Sequence, residues 1–134
     1  MKLSKYRNDY YGFSAKASDV CRTLAFAGIA ICWIFKSGQG TPRLPTDLLP
    51  PVALFAIGLA LDLLHYVVAT AIWGTFSRIH EKRQQNLERD PPVTAPKQLN
   101  WPTLCFFWLK IAAVCAGYGL LIDFLIKKWI VGSN

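Results

Sequence analysis

The length and composition of the chain exclude most soluble architectures. It has 134 residues, of which 53% are hydrophobic and only 17% charged. That is too little polar material to cover a globule and too much apolar material for a disordered chain. The apolar residues also come in long runs, which excludes a coiled coil and a disulfide scaffold. We therefore expect a single, all-α, integral membrane domain over residues 1–134.

The net charge is +7, and basic residues lie beside the apolar runs. In a soluble protein this charge would suggest a nucleic-acid partner, but beside membrane spans it is what the positive-inside rule produces. We expect the lipid bilayer, and not nucleic acid, as the partner. The cysteines, Cys21, Cys32, Cys105 and Cys115, have no zinc-site or thioredoxin spacing. We expect free thiols, no metal and no cofactor.

An aromatic and basic segment precedes the first apolar run. Its composition is compatible with a nucleotide or nucleic-acid surface. It is more typical of a segment that lies on anionic headgroups, which is the interpretation we favour. The cations expected to contact headgroups are Lys5, Arg7, Lys16 and Arg22.

The first span is predicted at about residues 20–36, and an irregular loop follows it. Residues 37–49 hold two glycines and two prolines, which indicates a loop. Pro50 and Pro51 then suit the first turn of a second helix, where no amide hydrogen is needed.

The second and third spans are predicted at about residues 51–73 and 103–126. At ~1.5 Å per residue both are long enough to cross a hydrocarbon core of ~30 Å. Residues 76–89 are polar and rich in helix formers, so the second helix is expected to continue as a stalk, a candidate docking site for a cytoplasmic partner. The prolines that follow Asp90 would end it.

The distribution of Lys and Arg predicts the orientation. Ten lie in residues 1–22 and 74–100, against four in residues 36–50 and in the C-terminal tail. This places the N-terminus and residues 74–100 in the cytoplasm, and predicts a multi-pass protein of the inner (plasma) membrane.

Small residues recur at helical spacing in each span, which predicts faces where helices approach closely. On the first helix they are Ser14, Ser18, Cys21, Ala25, Gly28 and Cys32; on the second, Gly58 and Ala69; on the third, Ala112, Ala116 and Gly119 with an adjoining Ala113 and Gly117. More faces exist than three helices need, so we expect a homo-oligomer or another membrane protein as partner.

Asp62 is the candidate functional residue, because it lies eleven residues from both Pro51 and Trp73, near the middle of its span. An ionised carboxylate there costs at least ~2.5–3.5 kcal/mol. His65 lies one turn further on with Tyr66 beside it, and Lys110 of the third span lies at a similar depth. One interpretation is an Asp62–Lys110 pair that fixes helix register, with His65 or Tyr66 hydrogen-bonded to it. In the other, these groups line a water-filled path or sense a proton.

The plan of three spans with a cytoplasmic N-terminus and a basic loop between the second and third resembles that of immunity proteins that protect bacteria against pore-forming colicins. It also resembles small membrane effectors of bacterial defence systems, which oligomerise and permeabilise the membrane. The resemblance is one of topology and carries no residue over.

Three functions are compatible with these features, and none is enzymatic, since no P-loop, GxSxG or HExxH motif is present. The first is a homo-oligomeric effector or channel, in which Asp62, His65 and Lys110 face the interior of the assembly. The alternative is an immunity or accessory subunit that binds another membrane protein. A holin-like protein is the third, although holins usually have the opposite orientation and a charged C-terminal tail.

Overall fold

A computed structural model describes residues 3–36, 43–83 and 96–132, and over these ranges the chain is helical. Its α-helices are α1 (Leu3–Ile34), α2 (Leu49–Arg83) and α3 (Trp101–Gly132). Short 3-10 turns at Thr46–Leu48 and Lys97–Asn100 lead into α2 and α3. All three α-helices are long and apolar enough to cross a membrane, which confirms the expected all-α protein with three candidate spans.

The helices are longer than the predicted spans. The aromatic and basic segment belongs to α1, which begins at Leu3, and α3 continues to Gly132 instead of ending near residue 126. No proline interrupts these extensions, so the hydrogen-bonded ladder of each helix continues past its apolar run. The α2 helix likewise continues to Arg83. The predicted end of the stalk near Asp90 and the glycines of the first loop lie outside the described residues.

The core of the bundle is centred on Phe55 of α2, whose side chain is fully buried. Its ring lies between Gly28 of α1 and Gly117 of α3. A Cβ atom added at Gly28 would lie 2.5 Å from the ring, and one added at Gly117 would lie 2.7 Å from it. The ring also makes an edge contact with Tyr118, at 5.0 Å between centroids. Gly28 and Gly117 thus leave the space that the Phe55 ring fills, and this contact joins all three helices.

The small residues of α1 face the other two helices. Ser18, Cys21, Ala25, Gly28 and Cys32 are all buried, and Ser14 is half-buried. On α2, Gly58 is buried against Val114, and Ala69 is half-buried. The two faces predicted on α3 differ: Gly117 is buried and Ala113 half-buried, whereas Ala112, Ala116 and Gly119 are exposed. One small face of α3 is therefore used inside the chain and the other is left on its surface.

Large apolar side chains cover the outside of the bundle. Leu63 is 65% exposed and Trp108 58% exposed, and both lie within apolar helices. In water such a surface would be a strong liability, because soluble monomers rarely expose large contiguous apolar patches. Lipid tails are the natural environment for it.

Candidate functional site

A network of charged and polar side chains joins the three helices on the side of Phe55 that is nearer the N-terminus of α1. It consists of Ser18 and Arg22 from α1, Asp62 and Tyr66 from α2, and Lys110 from α3. We call it the charge network. Each of these residues lies on the inward or lateral face of its helix because helical spacing places it with the buried small residues.

Lys110 is the most deeply buried member of the charge network, with 1% of its surface exposed. Its Nζ lies 2.5 Å from Asp62 Oδ1 and donates to Ser18 Oγ at 2.5 Å. The ammonium group also lies 5.5 Å from the centre of the Phe107 ring. A buried charge is tolerable only when it is paired and its hydrogen-bonding capacity is used, and these partners meet both conditions.

Asp62 is 7% exposed and is shared by two cations. Oδ1 accepts from Lys110 and from Ser18 Oγ at 3.3 Å, while Oδ2 accepts from Arg22 Nε at 2.7 Å. Both oxygens of the carboxylate are thus satisfied by groups from the two neighbouring helices. Asp62 is the residue through which the other charges of the network connect.

The guanidinium group of Arg22 is directed at Asp62, and its expected contact with lipid headgroups stays a prediction. Besides the bond to Asp62, Nη2 donates to Tyr66 Oη at 3.3 Å, and Nη1 lies 3.7 Å from Asp19 Oδ1. The side chain is 38% exposed and that of Asp19 72% exposed. A long side chain can reach either an interface or an internal partner, and here it reaches the second oxygen of a carboxylate whose first oxygen accepts from Lys110. Of the other cations predicted to contact headgroups, Lys16 is exposed, while the side chains of Lys5 and Arg7 lie outside the described residues.

The charge network is balanced in sign once the exposed Asp19, which pairs with Arg22, is counted with it. Asp19 and Asp62 then contribute two negative charges, and Arg22 and Lys110 two positive charges. The series runs from the exposed Asp19 through half-exposed Arg22 to the buried Asp62 and Lys110. A neutral cluster with short internal distances is far less costly in a low-dielectric interior than any one of its members alone.

His65 lies next to the charge network but makes no hydrogen bond to Asp62 or Lys110, contrary to one expectation from the sequence. Its ring contacts Tyr66 and Phe107, at 5.4 Å and 6.4 Å between centroids. Its Nδ1 atom is buried without a hydrogen-bond partner among the described residues. Tyr66, by contrast, belongs to the network through Arg22.

The charge network lies within the three-helix bundle of one chain, and the expectation that Asp62, His65 and Lys110 face the interior of an assembly stays a prediction. Asp62 and Lys110 are held by an ion pair to each other and by hydrogen bonds to Ser18 and Arg22 of α1. Within the described residues, no three His, Cys, Asp or Glu side chains come together as metal ligands. Because its bonds connect α1, α2 and α3, the charge network can fix the rotation and the depth of the three helices relative to one another.

Two contacts that join the helices were missed from the sequence. Phe55 lies seven residues before Asp62, so helical spacing alone would place both on one face. Tyr118 donates to the backbone carbonyl of Leu24 at 2.8 Å, and the only signal for it is a hydroxyl within an apolar run. Comparison with protein families, curated proteins and solved structures finds no match for this chain.

Proposed function

We propose that this chain is a non-enzymatic, multi-pass membrane protein that binds another membrane protein through the outer surface of its three-helix bundle. This is the immunity or accessory kind of function. The observation that carries the proposal is that Asp62 and Lys110, at 7% and 1% exposure, are satisfied within one chain. Because these buried charges already have partners inside the bundle, we propose that another protein contacts its outer surface.

The exposed face of α3 is the candidate binding surface. Its small side chains, which helical spacing aligns, are Cys105, Ala112, Cys115, Ala116 and Gly119, all of them exposed, and the larger Trp108 and Leu109 lie between the first two. In lipid, small residues let two helices approach closely and gain van der Waals contact over a long stretch. An added Cβ at Gly119 would meet nothing within 4 Å, so this face is open to a neighbouring helix.

The proposed orientation places the N-terminus and residues 74–100 in the cytoplasm, in an inner (plasma) membrane. The excess of Lys and Arg in these segments supports it. The α2 helix extends to Arg83, and we propose that its polar last turns are the first part of a cytoplasmic stalk. Residues 84–89 of the proposed stalk lie outside the described residues.

A pair of matched variants tests the proposal. Ala116→Leu fills the exposed face of α3, and Ala60→Leu makes the same change at an exposed position of α2. The tagged chain is purified from its native membranes in mild detergent, and the mass of the particle is measured. We expect the wild type and Ala60→Leu to retain a second membrane protein and Ala116→Leu to lose it. A monomeric wild-type particle, or one that Ala116→Leu leaves intact, would refute the proposal.

A homo-oligomeric effector that permeabilises the membrane is the second candidate. The exposed Cys105 and Cys115 favour it, since two identical α3 faces packed together would bring equivalent thiols close. An oxidant added to membranes should then yield a disulfide-linked dimer that the double change Cys105→Ser and Cys115→Ser abolishes and Cys32→Ser, a buried control, does not. Overexpression should also depolarise cells. Harmless overexpression of a chain that does not cross-link to itself would contradict this candidate.

A further inference from the structure

A groove of about 740 Å³ lies at the end of the bundle where α2 begins and α3 ends. It is remote from the charge network, because Lys127 at its edge follows Lys110 by about 25 Å along α3, at ~1.5 Å per residue. Its walls are apolar and include Pro50, Leu120 and Phe124. The groove therefore offers an apolar cleft at one boundary of the membrane-spanning part.

The rim of the groove carries two carboxylates and two ammonium groups, those of Asp47, Asp123, Lys127 and Lys128. Lys127 Nζ lies 2.6 Å from Asp123 Oδ2, and both side chains are more than half exposed. No ion pair forms on Asp47 within the part of the chain that the structure describes. The rim is thus neutral overall, and Lys127 lies within electrostatic range of Asp47 as well as Asp123.

The position of the groove along α3 places the rim at the level of lipid headgroups. Lys127, Lys128 and Trp129 follow the long apolar run of α3, and basic and aromatic residues in that position mark the membrane–water interface. Leu120 and Phe124 lie one to two turns deeper, at the level of the first acyl carbons. A molecule that fits this groove has a charged head and an apolar tail.

We propose that the groove binds a zwitterionic phospholipid with a primary ammonium headgroup, of the phosphatidylethanolamine type. Its phosphate would lie against Lys128 and Lys127, its ammonium group against Asp47, and an acyl chain along Phe124. An anionic lipid would bring its charge to a rim with two carboxylates. A choline headgroup has no N–H to donate, so it cannot form the charge-assisted hydrogen bond that Asp47 offers. The inference rests on the membrane placement in the proposed function and not on any protein partner.

Competition among lipids tests this site. The purified chain is exchanged into mixed micelles that hold equal amounts of phosphatidylethanolamine, phosphatidylcholine and phosphatidylglycerol, and native mass spectrometry counts the lipids retained. An exposed ion pair contributes ~0.2–1 kcal/mol, so we expect phosphatidylethanolamine to be retained about 1.4- to 5-fold more than the others. Asp47→Asn replaces the exposed carboxylate by a neutral amide, and it should remove the preference over phosphatidylcholine. Lys128→Gln should reduce retention of both zwitterionic lipids.

Arg78→Gln is the control, since it removes an exposed charge at the other end of α2 and should leave lipid retention unchanged. Equal retention of the three lipids, a preference for phosphatidylglycerol, or a preference that survives Asp47→Asn would overturn the site. Extraction of the chain from membranes by alkaline carbonate is a separate result. It would refute the membrane placement itself, and so the two failures are distinguishable.

Discussion

Replacing Asp62 should destabilise the bundle more than replacing Lys110, although the two residues form one ion pair. Asp62 has a second cation, because Arg22 Nε lies 2.7 Å from its other oxygen. Lys110 pairs with Asp62 alone among the described residues, and its remaining polar partner is Ser18. Asp62→Asn therefore leaves a buried ammonium group without a counter-charge, whereas Lys110→Met leaves Asp62 still paired with Arg22.

The expected losses of stability follow from this asymmetry. Removing one partner of a buried ion pair costs ~3–5 kcal/mol when the other charge is left unpaired, which is the situation that Asp62→Asn creates for Lys110. Lys110→Met removes one charge-assisted hydrogen bond, and we expect a loss of about 1–2 kcal/mol. In the double variant the unpaired ammonium group is gone, so the loss should be smaller than for Asp62→Asn alone.

The free energy of unfolding can be measured by titrating mild-detergent micelles with sodium dodecyl sulfate and following helicity by circular dichroism. Asp123→Asn is the matched control, since it makes the same chemical change at the exposed pair with Lys127 and should have little effect. Equal losses for Asp62→Asn and Lys110→Met would refute the reasoning. So would a double variant whose loss is the sum of the two single losses, because coupled residues are not additive.

Other predictions concern the core and the thiols. Gly28→Ala should lower the free energy of unfolding by about 1–3 kcal/mol, because the new methyl group overlaps the Phe55 ring. Gly119→Ala is the control and should not lower it, since an added Cβ there meets nothing within 4 Å. Similar values for the two variants would contradict the packing described. Phe55→Ala should cost ~3–5 kcal/mol in the same titration, by opening a cavity between two glycines, and a loss below 1 kcal/mol would show that the helices close over the space. In mild detergent a maleimide should label the exposed Cys115 and spare the buried Cys32 until the chain is unfolded, and equal labelling of both would argue against the burial described.

The spans and the inward face of α1 follow from sequence periodicity. Long apolar runs fix where a chain can cross a membrane, and small residues at helical spacing fix which face can approach another helix closely. The depth of Lys110 relative to Asp62 could also be counted from the residues at the ends of each span. These features depend only on distance along a regular helix, which the sequence states directly.

The direction of Arg22 and the role of Phe55 depend on information that periodicity does not contain. Arg22 lies near the end of a predicted span, where its side chain can reach an interface or turn inward, and only the position of the neighbouring helix decides between them. Phe55 is one of many aromatic residues in apolar runs, and it becomes the centre of the core because Gly28 and Gly117 happen to face it from two other helices. Choosing between the two small faces of α3 likewise requires knowing which one meets α2.

The shared carboxylate of Asp62 has a consequence for the way the chain is inserted during synthesis. Lys110 follows Asp62 by 48 residues, which corresponds to about 2–10 s at ~5–20 residues per second. Arg22 has already been made when α2 enters the bilayer, so the carboxylate can be neutralised at once and does not wait for α3. The lysine is then the last charge to arrive, and it meets an acceptor that is already held in place. A ribosome that stalls before α3 would leave a two-helix intermediate in which Asp62 is paired with Arg22 but the Phe55 ring lacks its contact with Gly117.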